Sequence, residues 1–509
     1  MSRPARTARP RPAAPGRHLG VALLALVLAV LAAPLPSLTG AAQAEPVDRA
    51  GAAPLTSAAG HGRDGLDTSL LMRNLFRQLP RLDGPAEALV RAQLARPTDG
   101  ARDPYGDGYS VGSQEVCNRR LCVHYVTSTA DAPPSLDWVR ATLQVMDKVW
   151  THHVKRLGYR PPASDRGRGG NAKFDVYLKE LGSQGLYGYC APERRVPGAR
   201  KRASGFCVLD NDFARAQFGR APLETLKVTA AHEFFHAIQF NYDFTEDGWL
   251  LETTATWMEE RYADDVNDNR NYLPYGQVAR PGSSLDVFDP RGFNQYGNWT
   301  WWQFLQQRYG QKIVRQVIER TGTGRGLPDD YSVQGLAGVL RTRGGLAANF
   351  AGYAAANLDP ARTYPEGKAW PTAKPRSTTT LSTGRRSTSG AVRIDHLSSA
   401  AARLVPADSL RGAWKVQIGV DGPEAQSSPA AVVVTKKRGG GLRVVRVKLN
   451  SRGVGAVTVP FSSKDVAWVT VVLANASTRY RCGVKTDLAC QGRPLDNGKR
   501  FAVAARVVR

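Results

Sequence analysis

An apolar stretch between residues 222 and 238 carries two histidines and a glutamate, and this combination constrains the fold more than any other feature of the chain. Pro222 suits the first turn of a helix, and the apolar residues after it lie on nearly all sides rather than along one stripe. Such a helix is predicted to be buried. His232 and His236 are four residues apart, so they share one face, with Glu233 beside them. Buried polar groups need a partner, and a metal ion would supply one.

The H-E-x-x-H pattern of residues 232–236 is typical of a zinc site, in which two neutral imidazoles bind the ion and the glutamate acts as general base on a water molecule. The alternative is a core helix whose histidines are hydrogen-bonded to protein groups. A catalytic zinc ion usually takes three protein ligands. Because the next histidine along the chain is His396, the third ligand is expected to be a carboxylate, and Glu252, Glu259 and Glu260 are the candidates.

The sequence WLLETTATWMEE of residues 249–260 resembles the W-L-x-E-G-x-A-x-Y-x-E segment of gluzincin-type zinc peptidases, whose first glutamate is the third zinc ligand. The resemblance makes Glu252 the third ligand beside the two histidines, with Glu259 as the fallback. The sequence departs from the pattern at two points. Thr253 replaces the usual glycine, and only fifteen residues separate His236 from Glu252, which is short for the group.

A wider pattern resembles a family of secreted bacterial metalloproteases. It runs from KFDVYLKELG at 173–182, through AAHEFFHAIQ at 230–239, to YGNWTWWQFLQQRYG at 296–310, and covers roughly the middle half of the chain. The resemblance implies an α+β fold, a zincin-like metallopeptidase domain whose active-site half is mainly helical. It also implies one catalytic Zn²⁺ ion and a protein or peptide substrate.

The same resemblance implies catalytic roles for Glu233 and Tyr296. Glu233 would take a proton from the attacking water and pass it to the leaving amine, and the Tyr296 hydroxyl would stabilise the tetrahedral oxyanion. Tyr275 is a competing candidate, and a purely structural tyrosine at position 296 is the alternative. The expected function is that of a zinc-dependent endopeptidase. The alternative is an inactive or non-peptidase zinc protein that acts as a cell-envelope binding module.

Residues 1–44 have the pattern of a secretory signal peptide. Five arginines precede an apolar run at 19–33, and residues 42–44 (AQA) form a small-residue cleavage site. A retained membrane anchor is the alternative, but the apolar run is short and is followed by Pro34 and Pro36. We therefore expect a secreted, extracellular protein with no membrane contact after the signal peptide is removed.

The chain contains six cysteines, an even number that predicts disulfide bonds in an exported protein. Six cysteines allow fifteen pairings, and the sequence does not choose among them. Local pairing is expected because each near pair brackets a turn-like stretch. The predicted pairs are Cys117 with Cys122, Cys190 with Cys207, and Cys482 with Cys490.

The chain is strongly basic, with a formal charge of +25 that falls to +20 when the five signal-peptide arginines are removed. Such a surface attracts anionic partners, and an anionic cell-wall polymer is a candidate. Nucleic acid is not expected as a partner, because the charges are scattered through loops and the sequence has no aromatic-interleaved basic helix or nucleic-acid motif.

Composition divides the rest of the chain into segments. Residues 45–103 begin with an Ala/Gly-rich stretch predicted to be disordered and continue with two amphipathic helices at 69–78 and 85–95. The sequence leaves open whether this segment is a latency pro-region or a structural N-terminal cap, and we favour the cap. The predicted metallopeptidase domain occupies residues 104–364.

The C-terminal part has a different pattern. Residues 365–390 are rich in Pro, Ser, Thr and Gly, which predicts a linker. Residues 391–509 contain short alternating apolar runs separated by Gly or Asn turns, which predicts an all-β sandwich. The predicted strands are 391–397, 413–420, 431–436, 443–449, 455–460 and 466–473. A stabilising role for this domain is preferred over substrate or cell-wall binding, and an adhesin built on it is a rival hypothesis.

Three further patterns have simpler structural explanations. GYSVG at 108–112 matches the G-x-S-x-G nucleophile elbow, but Ser110 lacks the preceding strand and following helix that this motif requires, so a serine hydrolase is a rival that we do not favour. DDVNDN at 264–269 is dense in oxygen ligands for Ca²⁺, although its spacing is not that of an EF-hand and a surface turn explains it. His152 and His153 end a predicted helix and are expected to be solvated.

Overall fold

The computed structural model describes residues 68–99, 108–290, 292–323 and 329–509. The predicted signal peptide at 1–44 and the Ala/Gly-rich stretch up to residue 67 lie outside the described residues. Within them, the larger N-terminal part combines helices with a sheet, and the part after residue 376 is built mainly of strands. This agrees with the expected mixed helix-and-sheet architecture and the strand-rich C-terminal region.

A five-stranded mixed sheet forms the scaffold of the N-terminal part, with the strand order β1-β2-β3-β5-β4. The strands are β1 Gln114–Cys117, β2 Leu121–Tyr125, β3 Phe174–Lys179, β4 Gly188–Val196 and β5 Ala199–Asp210. β2, β3 and β5 are parallel, while β1 and β4 lie at the two edges and run antiparallel to their neighbours. The inner strands β2 and β3 are buried at every residue, which is typical of a parallel sheet covered by other elements.

Helices surround this sheet. Those with α-helical hydrogen bonding are α1 Thr68–Gln78, α2 Gly84–Gln93, α3 Leu136–Trp150, α4 Arg215–Phe218, α5 Pro222–Asp243, α6 Gly248–Tyr262, α7 Asn294–Gly297, α8 Trp299–Tyr309, α9 Lys312–Thr321, α10 Ser332–Leu340, α11 Gly345–Ala356 and α12 Pro360–Thr363. The Ser135 hydroxyl caps α3 by accepting a hydrogen bond from the Trp138 N–H, and this helix continues as a π-helical turn, Thr151–Arg156. α5 packs on β4 and β5, and α6 packs on α5.

The C-terminal part forms two larger sheets. Its strands are β6 Ser377–Leu381, β7 Ser387–Ile394, β8 Ser398–Pro406, β9 Lys415–Asp421, β10 Pro429–Lys437, β11 Leu442–Val447, β12 Val454–Pro460, β13 Val466–Asn475, β14 Tyr480–Arg481, β15 Arg493–Pro494 and β16 Lys499–Val508. One sheet has the order β11-β10-β13-β8-β6 and the other β12-β9-β16-β7. Side chains from both sheets share one apolar core, among them Val433 and Val471 from the first and Ile418 and Phe501 from the second.

The segment predicted as a linker, residues 365–390, is partly folded into this region. Its second half contributes β6, which lies parallel to β8, and the first residues of β7. The consecutive threonines at 378–380 favour extended structure because their Cβ atoms are branched, and here this preference outweighs the linker-like composition.

The structure contains three disulfide bonds, which join Cys117 to Cys122, Cys190 to Cys207, and Cys482 to Cys490. The predicted local pairing is therefore confirmed. In the described part of the chain, no helix has the length and apolar character needed to cross a bilayer.

Candidate metal centre

Two helices joined by a short turn place the predicted ligands opposite each other. α5 carries His232 and His236 one turn apart, and α6 carries Glu252. Only residues 244–247 connect the two helices, so α6 folds back onto α5 and brings Glu252 to the two imidazoles. The short separation noted in the sequence is the consequence of this tight helical hairpin. All three side chains are buried.

The two imidazole rings present their Nε2 atoms to one carboxylate. His232 Nε2 lies 3.2 Å from Glu252 Oε2, and His236 Nε2 lies 3.2 Å from Glu252 Oε1. One ligand atom from each of the three residues lies within 4.8 Å of the others, which is compact enough for a single ion. Glu259, the fallback ligand, lies on the other side of the His232 ring, where its Oε1 is 2.6 Å from Nδ1. The geometry therefore groups Glu252 with the histidines and places Glu259 behind them.

Buried acceptors orient both rings. His236 Nδ1 lies 2.7 Å from Gln239 Oε1, and the side-chain amide nitrogen of Gln239 donates to the Leu251 carbonyl. Because that nitrogen is committed as a donor, the Gln239 oxygen accepts, and the proton of a neutral His236 ring belongs on Nδ1. Glu259 contacts Nδ1 of His232 in the corresponding position. An acceptor behind Nδ1 leaves the Nε2 lone pair free to bind a metal ion.

The donor set fits a zinc ion. His236 Nε2 and Glu252 Oε1 are buried atoms with no hydrogen-bond partner among the described residues. With the His236 proton on Nδ1, a nitrogen lone pair faces a carboxylate oxygen, and this arrangement is unfavourable without a cation between them. Two imidazole nitrogens and one carboxylate oxygen match the ligand types of a catalytic zinc site and leave a fourth position for water.

Charges around the ligands favour a cation at this point. Burial alone would lower the pKa of His236, but the facing Glu252 carboxylate raises it above the usual value of an imidazole. Burial likewise opposes the rise at His232, where Glu252 and Glu259 hold the pKa well above its ordinary value. Burial would raise the pKa of Glu252, but the two imidazoles, when protonated, hold it well below its usual range. The carboxylate is thus kept ionised beside imidazole protons, which a metal ion would displace on binding.

The departure from the family pattern at Thr253 has a structural role. The Thr253 hydroxyl donates to the Trp249 carbonyl at 2.7 Å and accepts the indole N–H of Trp302 at 2.9 Å. This side chain therefore ties α6 to α8 next to Glu252. A glycine at this position would make neither hydrogen bond.

Glu233, the predicted general base, lies on α5 between the two histidines and is almost fully buried. Its Oε2 accepts a hydrogen bond of 2.7 Å from the hydroxyl of Ser69, a residue of α1 that is 164 positions away in the sequence. The Cys190–Cys207 disulfide lies behind the same residue, with Cys190 Sγ 2.9 Å from the Glu233 carbonyl oxygen. No sequence pattern pointed to Ser69 as a partner of Glu233.

Tyr296 lies beside the ligands together with a second tyrosine. Tyr296 is fully buried, and its ring centroid is 6.2 Å from that of His232. The ring of Tyr272, a residue that no sequence pattern singled out, packs 5.1 Å from the Tyr296 ring. Burial and the nearby Asp268 carboxylate raise the pKa of Tyr272 well above its ordinary value, so its hydroxyl stays protonated. Tyr275, the competing candidate, is only half-buried.

A small cavity adjoins the predicted base. Its volume is about 20 Å³, which is enough for one water molecule. Its lining includes His232 and Glu233, together with Glu259 and Tyr272. The structure thus leaves room for a single water within reach of the Glu233 side of the centre.

Two other sequence patterns lie away from this centre. Ser110 is exposed and precedes β1, without the flanking strand and helix of a nucleophile elbow. Asp264, from the oxygen-rich stretch considered for Ca²⁺, lies with Glu260 and Glu366 in a group whose oxygens are within 4.8 Å of one another. The side-chain amide of Asn269 donates a hydrogen bond of 2.8 Å to Glu260, so one member of this acidic group has a partner within the protein. The calcium site stays a prediction.

The expectation that His153 is solvated is wrong. Its side chain is fully buried, and its Nε2 lies 3.0 Å from the Ala231 carbonyl of α5. The π-helical turn that follows α3 directs this ring against α5. Burial lowers the pKa of His153 to about 3, so the ring is neutral and supports α5 immediately before the first ligand.

Comparisons with known proteins do not assign the chain to a family. No protein-family model matches it, and no curated protein matches it. Among solved structures, a mutant of PliG-Ec, a periplasmic inhibitor of g-type lysozyme from Escherichia coli, aligns with 26% of this chain and 98% of its own at 10% identity, with a TM-score of 0.15. CorA, a surface-associated copper-binding protein of Methylomicrobium album BG8, aligns over the same shares at 10% identity, with a TM-score of 0.17. Likenesses this slight carry no argument about fold or function.

Proposed function

We propose that this protein is a secreted zinc-dependent endopeptidase. The observation that carries the proposal is the convergence of His232 Nε2, His236 Nε2 and the Glu252 carboxylate in a buried site, with Glu233 as a neighbouring carboxylate. When bound there, zinc would supply a Lewis acid that lowers the pKa of a water molecule and polarises a carbonyl group. Three disulfide bonds support export, because such bonds persist in oxidising compartments.

The chain's own groups supply proton transfer and orientation. The Glu233 carboxylate accepts a proton from the attacking water and returns it to the leaving amine. The Tyr296 hydroxyl donates a hydrogen bond to the oxyanion, with Tyr272 as a second donor. Gln239 and Glu259 hold the two imidazole rings through Nδ1, so the rings keep their orientation during the reaction.

Metal content tests this proposal directly. Zinc should be measured by elemental analysis on the secreted wild type, on Glu252→Ala and on Glu259→Ala, all purified without chelators. We expect one zinc per chain in the wild type, loss of the metal in Glu252→Ala, and retained but weakened binding in Glu259→Ala, because only Glu252 faces both Nε2 atoms. Absence of zinc from the wild type, or equal loss in both variants, would contradict the assignment.

The burial of Glu233 beneath Ser69 favours a second candidate, a zinc protein without peptidase activity that acts as a cell-envelope binding module. Its basic charge would suit an anionic wall polymer. Stoichiometric zinc without casein cleavage, in the wild type and in Ser69→Ala, which lacks the hydrogen bond to Glu233, would select this candidate over the peptidase.

A further inference from the structure

Helix α1 covers Glu233, the proposed general base, which a peptide substrate has to approach. His232, Glu233, His236 and Glu252 are each at most 6% exposed, so a peptide cannot reach them in this conformation. α1 packs along β4, an edge strand of the first sheet, and contacts Glu233 directly. Substrate access to Glu233 from the side of β4 therefore requires α1 to move.

The hydroxyl of Ser69, a residue of α1, lies within hydrogen-bonding distance of Glu233, the proposed general base. Ser69 Oγ donates to Glu233 Oε2 at 2.7 Å and accepts the N–H of Cys190 at 2.9 Å. A general base has to lie within hydrogen-bonding reach of the proton it removes. The buried Ser69 hydroxyl fills one such hydrogen-bonding position at Glu233 Oε2, so a water molecule or a substrate group cannot take that position while α1 is in place.

Cys190, the second hydrogen-bonding partner of Ser69, lies on β4, an edge strand of the first sheet. Cys190 pairs with Cys207 at a Cα–Cα distance of 4.0 Å, the close spacing of a non-hydrogen-bonded antiparallel pair. The Cys190 N–H therefore points away from β5 toward the outer edge, where Ser69 accepts it. Open strand edges pair readily with extended peptides. α1 thus blocks both the base and the strand edge beside it.

α1 is held by contacts with a turn and a strand end. Arg73 Nη1 donates to the Glu246 carbonyl at 2.6 Å, and Phe76 meets Phe244 edge to face at 5.2 Å between centroids. The Arg195 guanidinium covers the Phe76 ring at 5.3 Å. Glu246 and Phe244 belong to the connection between α5 and α6, and Arg195 lies near the end of β4. Release of these contacts would leave the pairing of the inner strands intact.

The link between α1 and α2, residues 79–83, is accessible. Asp83 is exposed, as are Gly84 and Pro85 in the first turn of α2, and exposed segments of small and polar residues are preferred sites of proteolytic cleavage. Beyond this link, Arg96 is anchored separately in the sheet by buried ion pairs with Asp175 and other carboxylates. A cut at residues 83–85 would therefore free α1 and leave the following segment in place.

We infer that α1 is an autoinhibitory helix. The chain is latent while Ser69 bonds Glu233 and α1 covers the edge of β4, and displacement of α1 admits the substrate. This inference rests on the proposed peptidase function and adds its regulation. It takes up the latency role that the sequence left open beside the structural cap, and it differs from the cap that we favoured there, because a cap would stay in place during turnover.

The test uses the full-length secreted chain with Ser69→Ala, Phe76→Ala and both substitutions, and with Gln78→Ala, a partly exposed residue of the same helix, as the matched control. Hydrogen exchange of α1 and β4 in the metal-free protein reports opening without any catalysis. In the zinc-loaded protein, the affinity for a tripeptide hydroxamate and the rate of casein hydrolysis report access. We expect Ser69→Ala to raise both about tenfold, equivalent to ~1.4 kcal/mol, the double variant to exceed this, and Gln78→Ala to match the wild type.

The outcomes separate the two proposals. Tighter hydroxamate binding without casein hydrolysis would support the inhibitory helix and contradict the peptidase. Hydrolysis by the wild type as fast as by Ser69→Ala would overturn the inhibitory helix and leave the peptidase standing, and faster exchange in α1 with unchanged hydroxamate affinity would overturn it as well. Should the substituted chains fail to fold, a site for a sequence-specific protease introduced at residues 83–85 gives the same readout. Cutting is then expected to raise hydroxamate affinity, and an unchanged affinity after release of α1 would contradict the inference.

Discussion

Glu233 carries the proton transfer in the proposed reaction, while the metal ligands are other residues. We therefore expect Glu233→Gln to keep zinc and to lower kcat/KM for a peptide substrate by about 10²- to 10⁴-fold, the usual contribution of a general base. The measurement is best made in the Ser69→Ala background, in which α1 is loosened. Glu224→Gln, the same substitution at an exposed position in the first turn of α5, is the control and should change neither quantity. Full activity in Glu233→Gln would exclude this residue as the base.

Gln239 positions His236 without facing the metal site. Loss of its acceptor in Gln239→Ala is expected to weaken zinc binding by about 10- to 100-fold, as for other residues that orient a metal-binding histidine. Competition with a chromophoric chelator measures the affinity. Gln239→Met keeps most of the side-chain volume without the acceptor and should weaken zinc binding as much as Gln239→Ala. Near wild-type affinity in Gln239→Met would mean that Gln239 acts through packing rather than through His236 Nδ1.

The grouping of functional residues that are close in sequence could be predicted. Contacts between residues that are far apart in sequence and meet only in the folded chain could not. The periodicity of one helix brings His232, Glu233 and His236 together, so their grouping followed from the sequence alone. Ser69 meets Glu233 across 164 positions, and Tyr272 is one of 17 tyrosines with no distinguishing pattern around it. Contacts between remote segments leave no local signal, which is why both residues emerged only from the structure.

Among the secondary-structure elements, the segment after α2 is fixed to the first sheet by one buried arginine. Arg96 pairs with Asp165 at 3.0 Å, Asp175 at 2.5 Å and Glu193 at 2.9 Å, and all four side chains are at most 5% exposed. Burial would lower the pKa of Arg96, but its carboxylate partners, Glu193 foremost, raise it above its ordinary value. The guanidinium is therefore charged, and it compensates the negative charge of the buried carboxylates around it.

Arg96→Ala is expected to lower the free energy of unfolding by about 3–5 kcal/mol, because removal of one partner leaves buried carboxylates uncompensated. Arg91→Ala is the matched control, since Arg91 pairs with Glu87 on an exposed helix face and such pairs contribute about 0.3–0.5 kcal/mol. Urea unfolding measures both. Similar losses in the two variants would show that the buried cluster does not anchor the segment.

Strand prediction succeeded in several valine-rich runs, but it missed β8, whose residues are mostly small, and β16 at the C-terminal end of the sequence, although apolar residues alternate there. The predicted strand at 466–473 corresponds to β13, which is rich in valine. β8, with the sequence SSAAARLVP, was not predicted because serine and alanine have low β-propensity. It forms a strand because β13 and β6 flank it on both sides, so pairing within the sheet overrides the local preference. The same pairing draws β6 out of the predicted linker.

At the scale of the whole molecule, the two parts of the chain are joined by a buried polar network. Asp286, which precedes α7, accepts hydrogen bonds from Tyr480 at 2.7 Å and from the Ala489 N–H at 3.0 Å, and its other oxygen lies 2.8 Å from His396 Nε2. His396 Nδ1 lies 3.1 Å from Asn497 Oδ1. With an acceptor at each ring nitrogen, His396 is placed to carry both protons, and its charge faces the Asp286 carboxylate.

This network makes stability depend on pH with a definite sign. Burial would lower the pKa of His396, but Asp286 raises it above the ordinary value near 6.5. A raised pKa means that the folded chain binds more protons than the unfolded chain. The contribution of His396 is therefore complete below about pH 6.5 and is lost as pH rises through the folded pKa. Burial would raise the pKa of Asp286, but His396 lowers it, so the contribution of Asp286 is present above its unfolded pKa near 3.9 and is lost as pH falls through the folded value.

We expect the free energy of unfolding of the wild type to fall by up to about 1.4 kcal/mol per pH unit between pH 6.5 and the folded pKa of His396 through this one group. His396→Gln removes the titrating ring, so that part of the slope should vanish. Asp286→Asn, which removes the charge that raises the pKa, should flatten the slope in the same range although His396 is still present. Urea titrations at closely spaced pH values compare the three chains. A wild-type slope that persists in both variants would assign the pH dependence to groups other than His396 and Asp286.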